Sequence, residues 1–273
     1  MADSGKCAER VANRTILDKL ADKARERVEA AKKDLPAEEM KKQAFLLPKG
    51  DFSFENALKT PTLSFICECK KASPSKGVIA RDFPYVQIAK EYEEAGADAI
   101  SVLTEPEWFL GSGKYLEEIA KTVSVPCLRK DFIVDAYMIY EAKLLGASAV
   151  LLICSILGKE QLKEYLGICG ELGLSALVEV HDEKETEMAA DAGARIVGVN
   201  NRNLKDFTVD TQNSGRLRKF LPGGVLFVSE SGVSTPEDVA KLKEIGADAV
   251  LIGEALMRAE NKKAELLKLK SRL

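Results

Sequence analysis

The chain has 273 residues, 46% apolar and 30% charged, a balance that excludes a disordered or low-complexity protein and fits one large α/β domain. Lys plus Arg (40) nearly cancels Asp plus Glu (43) for a net charge of −3, with both signs interspersed, so no footprint for nucleic acid is expected and an anionic ligand must be gripped locally. The single histidine, His181, excludes a multi-histidine metal site, and no Gly-x-Ser-x-Gly elbow accompanies it to make a serine triad.

In chain order, the start from Met1 to Lys6 has no apolar stretch, and no later segment approaches about 18 uninterrupted apolar residues. A soluble cytoplasmic protein with no membrane partner is the expectation. Cys7, Cys67, Cys69, Cys127, Cys154 and Cys169 form no C-x-x-C pair, and five of the six lie beside or within apolar runs. Free, buried thiols in a reducing compartment fit that pattern.

Residues 1–62 read as an N-terminal helical extension. Leu17, Leu20, Ala24 and Val28 make one apolar face behind a Thr15 cap, and Pro36 with acids after it marks a second start. These helices are expected to plug the bottom of the following domain or pack on its flank, outside the substrate pocket.

From residue 63 to 273 the chain repeats. A Gly-Ala pair followed by an apolar strand begins at Gly96, Gly146, Gly193 and Gly246, about fifty residues apart, which is the length of two βα units. The strands expected between the copies are Leu63–Cys69, Val125–Arg129, Ala176–Val180 and Val225–Ser229. Helical patterns follow at Pro84–Ala95, Tyr115–Thr122, Ala136–Leu145, Lys159–Leu172, Glu183–Ala192, Asn213–Phe220, Thr235–Ile245 and Lys262–Leu269. Eight βα units predict a (β/α)8 TIM barrel, whose chemistry belongs at the C-terminal strand ends. A doubly wound sheet would carry a G-x-G-x-x-G turn after its first strand, and none occurs.

The strand ends are polar. Strand one ends in Glu68 and Lys70, which share a side by period-2 geometry, and runs into a turn-rich loop holding Ser73. The loop from Lys71 to Arg81 is a candidate lid. Strand three carries Lys130, strand five Glu179 followed by His181, strand six Asn200 and Arg202, and strand seven Glu230. Lysines and carboxylates converging on one mouth can tune each other for acid and base work. Ser231-Gly232 and Gly253-Glu254 close the last two strands where barrels hold phosphate, with Glu254 expected to act through its backbone. Phe109, Leu128, Phe132, Leu151 and Leu204 would wall a flat aromatic ligand.

Taken together, ECKKASPSKG, SVLTE, PCLRKDFI, EVH, GVNNRNL, SESG and LIGEALM, spread from Cys67 to Met257, resemble the indole-3-glycerol-phosphate synthase family of tryptophan biosynthesis, in its form with a single barrel. The resemblance implies a reaction without cofactor or metal. In it, 1-(2-carboxyphenylamino)-1-deoxyribulose 5-phosphate closes its ring, loses carbon dioxide and then water. It further implies Lys130 as the acid at the ribulose carbonyl, Glu179 as an acid/base in dehydration, and Glu68, Asn200 and Glu230 as residues that hold hydroxyls and order the lysines. Lys70 would bind substrate or act as a later acid, and Arg202 would lie near the anthranilate end. Ser73, Ser231, Gly232, Gly253 and the Glu254 backbone would grip phosphate. Other tryptophan-pathway enzymes are the implied protein partners. Three alternatives stay open: a phosphoribosylanthranilate isomerase-like barrel using Cys69, a lysine Schiff-base aldolase, and a non-catalytic sugar-phosphate-binding barrel.

Overall fold

The computed structural model describes residues 15–203 and 207–273; Cys7 and Leu204 lie outside the described residues. The chain first makes helices α1 (Ile16–Asp34), α2 (Ala37–Leu46) and α3 (Ser53–Ala57). Thr15 caps α1 through a reciprocal pair of hydrogen bonds with Asp18, 2.8 Å to its carboxylate and 3.2 Å back from its N–H. Leu17, Leu20, Ala21, Ala24 and Val28 form the buried stripe of α1.

Eight parallel strands then close a barrel in sequence order. They are β1 (Ser64–Cys69), β2 (Ala99–Leu103), β3 (Cys127–Lys130), β4 (Ala149–Ile153), β5 (Ser175–Val180), β6 (Ile196–Asn200), β7 (Leu226–Glu230) and β8 (Ala249–Ile252). Closure pairs β1 with β8, Ser64 opposite Ala249 and Cys67 opposite Ile252. The intervening helices are α4 (Tyr85–Glu94), α5 (Gly113–Ala120), α6 (Ala136–Leu144), α7 (Lys159–Leu172), α8 (Glu183–Asp191), α9 (Gln212–Leu217), α10 (Pro236–Glu244), α11 (Glu254–Arg258) and α12 (Lys262–Leu269).

The repeat has a backbone cause. Gly96, Gly146, Gly193 and Gly246 have φ of 82°, 82°, 85° and 76°, the left-handed turn that ends a helix and feeds the next strand. Strand three starts later than expected, at Cys127, because Pro126 has no N–H to give a ladder. The ninth helix also ends early: Arg218–Phe220 tightens into a 3-10 turn before Pro222. Helix α11 and the small hairpin pairing Ala72–Ser73 with Gly77–Val78 were not expected.

The extension does not behave as one plug. Gly50 and Phe52 donate to Leu172 O and Gly173 O, at 2.9 and 3.3 Å, and Glu55 N–H reaches Ser175 Oγ at 3.1 Å. Ser175 opens β5, so this stretch does close the floor. Helix α1, by contrast, lies at the mouth. Its Arg27 Nη2 stands 2.8 Å from Asp131 Oδ1, just past Lys130, and Ile16 and Leu20 line the cavity there. The described cysteines, Cys67, Cys69, Cys127, Cys154 and Cys169, are free and buried. No described helix is long and apolar enough to cross a membrane.

Candidate active site

The strand ends surround a cavity of about 590 Å³. Lys130 is its centre. Its Nζ is 2.7 Å from Glu230 Oε2 and 3.6 Å from Glu179 Oε2, joining β3 to β7 and β5. Burial pulls the Lys130 ammonium down, but Glu230, Glu179 and Glu68 outweigh it and lift it well above the usual lysine value. The site thus favours the ammonium form of Lys130.

The two carboxylates beside it differ. Burial pushes Glu179 up, yet Lys130, His181 and Asn200 overcome that and hold it at about 2. Burial also pushes Glu230 up, and there Glu179 and Glu68 oppose the pull of Lys130, leaving it at about 7. One lysine shared by two close acids favours a proton on the pair, and Glu179 has His181 beside it as a second cation where Glu230 has Lys130 alone among the described residues. Glu230 Oε1 is buried without a hydrogen-bond partner among the described residues, as a carboxyl waiting for a polar ligand would be.

Local backbone makes room for these groups. A Cβ at Gly198 on β6 would run into the Glu230 carboxylate, and one at Gly253 would run into that of Glu68. Glu68 Oε1 in turn holds Lys70 Nζ at 2.7 Å. Beside them Ser231 and Gly232 have φ of 68° and 86°, a left-handed pair costly for serine, as turns at ligand sites often are. Asn201 braces this turn from below, donating to Ser231 O and Ser229 Oγ at 3.1 Å each.

Ser73, Asn200, Arg202, Ser231, Gly232, Gly253 and Glu254 also line the cavity, as do Phe109, Phe132 and Leu151. The Phe109 and Phe132 rings lie 6.0 Å apart at 39°. Leu128 does not reach this cavity. It is fully buried, two residues before Lys130 on the same face, hence one layer deeper in the barrel and absent from the cavity wall. Arg202 lies toward Glu254, 3.9 Å from Oε2, and its Nη1 donates to Phe207 O at 3.2 Å. The Glu254 carboxylate faces a rim of cations, Arg258 at 3.1 Å and Lys76 at 3.7 Å as well as Arg202. Cys69 is buried away from the cavity with its thiol pushed far up, which removes the isomerase alternative's candidate base.

Several lining residues escaped the sequence reading. Ile16 and Leu20 come from α1, Phe207 and Val209 from the loop after β6, and Asp131 from beside Lys130. Asp131 is buried and takes hydrogen bonds from Arg27 and Thr104 at 2.8 and 2.6 Å. His181, a polar residue at the end of strand five with no role assigned to it by the sequence, shares the parity of Glu179, which places the two on one side. Its Nε2 is 3.2 Å from Glu179 Oε1 and its Nδ1 3.0 Å from Glu185 Oε2. Burial lowers the imidazole, but the two carboxylates raise it to about 10.

Comparison with known proteins agrees with this geometry. The family model described as indole-3-glycerol phosphate synthase matches residues 17–269. A protein of that name from Ruminiclostridium cellulolyticum is 58% identical over 93% of this chain and 98% of its own. Another, from Lachnoclostridium phytofermentans, is 53% identical over 94% of this chain and 100% of its own. Among solved structures, a thiamine phosphate pyrophosphorylase from Pyrococcus furiosus superposes with a TM-score of 0.59 at 17% identity, covering 80% of this chain and 96% of that one. That likeness shows the fold alone.

Proposed function

The chain belongs to the indole-3-glycerol phosphate synthase family, a family of carboxy-lyases acting on a small molecule, and on that premise we propose how its residues divide the work. The carrying observation is Lys130 held between Glu230 and Glu179 at the barrel mouth.

The anthranilate ring of the substrate lies against Phe109, Phe132 and Leu151, beneath Ile16 and Leu20. Its phosphate sits among Ser73, Lys70, the Ser231-Gly232 turn and the backbone at Gly253-Glu254. As the ring carbon bearing the carboxylate attacks the ribulose carbonyl, negative charge grows on that oxygen. A buried ammonium is worth most at that moment, because it is already oriented and water is excluded. Lys130 supplies the charge first and its proton as the new hydroxyl forms. Carbon dioxide then leaves, its bonding pair restoring the aromatic ring. In the last step the hydroxyl departs as water with the proton that Glu230 holds beside Lys130, while Glu179 takes the proton from the neighbouring carbon. Glu230, Glu68 and Asn200 hold the sugar hydroxyls and keep the lysines in place.

The charged state of Lys130 disfavours a Schiff base, which needs a neutral amine. We further read residues 1–62 as an extension of one structural domain and the protein as cytoplasmic, within reach of other tryptophan-pathway enzymes. The experiment is to give the purified protein the carboxyphenylamino-deoxyribulose phosphate and follow indole fluorescence and carbon dioxide. Lys130→Ala is expected to keep the fold and lose at least about two orders of magnitude in turnover. Near-normal turnover in that variant would sink the assignment of Lys130, and binding without turnover by the unchanged protein would favour a non-catalytic barrel.

A further inference from the structure

The substrate cavity has a neighbour. His181 lines a second, polar cavity of about 650 Å³ together with Glu185 and Asp182, while Glu179 lines the first. The imidazole stands between the two. Its Nε2 approaches Glu179 Oε1 at 3.2 Å and has no other partner among the described residues, the contact being an ion pair by distance without hydrogen-bond alignment. On the other side Nδ1 meets Glu185 Oε2 at 3.0 Å, and that same oxygen accepts the His181 backbone N–H at 2.8 Å. Glu185 is thereby pinned to the backbone at the start of α8, and the ring is clamped with a carboxylate at each nitrogen. A carboxylate beside each nitrogen favours the charged imidazolium over the neutral ring.

Lys130, Glu179, His181 and Glu185 thus make a row of alternating charge. Glu230 is not part of it. Its one ion-pair partner among the described residues is Lys130. Other charged groups around the second cavity are Asp182, Asp18 and Asp210 with Arg202 and Arg216; Cys154, just past the end of β4, has its thiol raised by burial and stays neutral.

We propose that His181, clamped by Glu185, is a positioning residue that decides which carboxylate beside Lys130 keeps the shared proton, holding Glu179 ionised as the base and leaving the proton to Glu230. This rests on the reading of Glu179 given above. Without the imidazolium, two acids would compete for one lysine, and Glu179 would spend part of its time protonated and unable to accept.

The test measures kcat and KM from about pH 3 to 9 for His181→Asn and Glu185→Gln beside the unchanged protein, whose Glu179 limb lies near the acid end of that range. His181→Asn keeps a donor near Glu179 but no charge. It is expected to move the acid limb of kcat upward by at least about one pH unit with KM changed less than about threefold. Glu185→Gln should move the same limb the same way by less. An acid limb that stays in place in the folded variants overturns the proposal. If His181→Asn does not fold, Glu185→Gln decides alone by the same criterion. Glu179→Gln separates the two readings: near-normal turnover there overturns the role of Glu179 itself, whereas lost turnover there with an unmoved limb in the His181 variant overturns only the positioning role.

Discussion

Lys130 and Lys70 look alike in isolation, each over the same cavity with a carboxylate oxygen 2.7 Å from its ammonium. Their surroundings differ. Lys130 is tied across the barrel, to Glu230 on β7 and Glu179 on β5, whereas Lys70 is tied to Glu68 at the end of its own strand. Each cluster has its own glycine, Gly198 giving space to Glu230 and Gly253 to Glu68, with Lys70 Nζ 3.0 Å from where a Gly253 Cβ would stand. A group fixed from three strands keeps its position while charge moves through it, which suits chemistry. One held by its own strand can swing with a ligand, which suits binding.

Substitution of the lysines tests this contrast most severely. Lys130→Ala should lower kcat by at least about a hundredfold with a modest change in KM, because the charge it supplies matters most in the transition state. Lys70→Ala should fall mainly on KM, by roughly tenfold, the scale of one lost charge contact to a phosphate. Equal losses of kcat in both variants would break the distinction between a chemical and a holding lysine.

The glycines sharpen it further, with a smaller effect. Gly198→Ala places a methyl against the Glu230 carboxylate, so Glu230 must shift and Lys130 with it. We expect kcat to drop about tenfold and stability to fall by about 1–3 kcal/mol, the cost of overpacking a filled interior. Gly253→Ala should instead disturb Glu68 and Lys70 and raise KM, by about threefold, with kcat nearly kept. Steady-state kinetics with thermal melts on the two variants read both effects, and a Gly253→Ala enzyme that loses kcat but keeps KM would contradict the division.

Much of this was visible in the amino acids. The four Gly-Ala repeats marked every second strand because a left-handed turn must end each preceding helix, and parity put Glu68 with Lys70 on one face. The same parity is available for Glu179 and His181, but nothing nearby in the chain announces that Glu185 clamps the ring from the following helix. The position of α1 was beyond reach for a different reason. Arg27 meets Asp131 across 104 residues of chain, and helical periodicity says which face is buried without saying against what. Leu128 shows the converse limit, since period 2 assigns a side of the strand but not a depth in the barrel.

The smallest expected effect belongs to Lys71, next to Lys70 in sequence and opposite in parity. Its carbonyl accepts N–H groups from Ile79 and Ala80, at 2.8 and 3.1 Å. The backbone of Lys71 therefore anchors the base of the small hairpin that carries Ser73, while its side chain takes no part in the cavity wall. Alanine keeps that carbonyl and its two hydrogen bonds. Lys71→Ala should accordingly leave kcat/KM within about twofold of the unchanged protein and stability within about 0.5 kcal/mol, as at ordinary surface positions. The comparison is informative because the two substitutions remove the same charge one residue apart. Bulk electrostatic attraction of an anionic substrate would make them equal, and only a directed contact separates them. A defect in Lys71→Ala as deep as that of Lys70→Ala would show that charge near the mouth, rather than the side of the strand it projects from, is what the substrate reads.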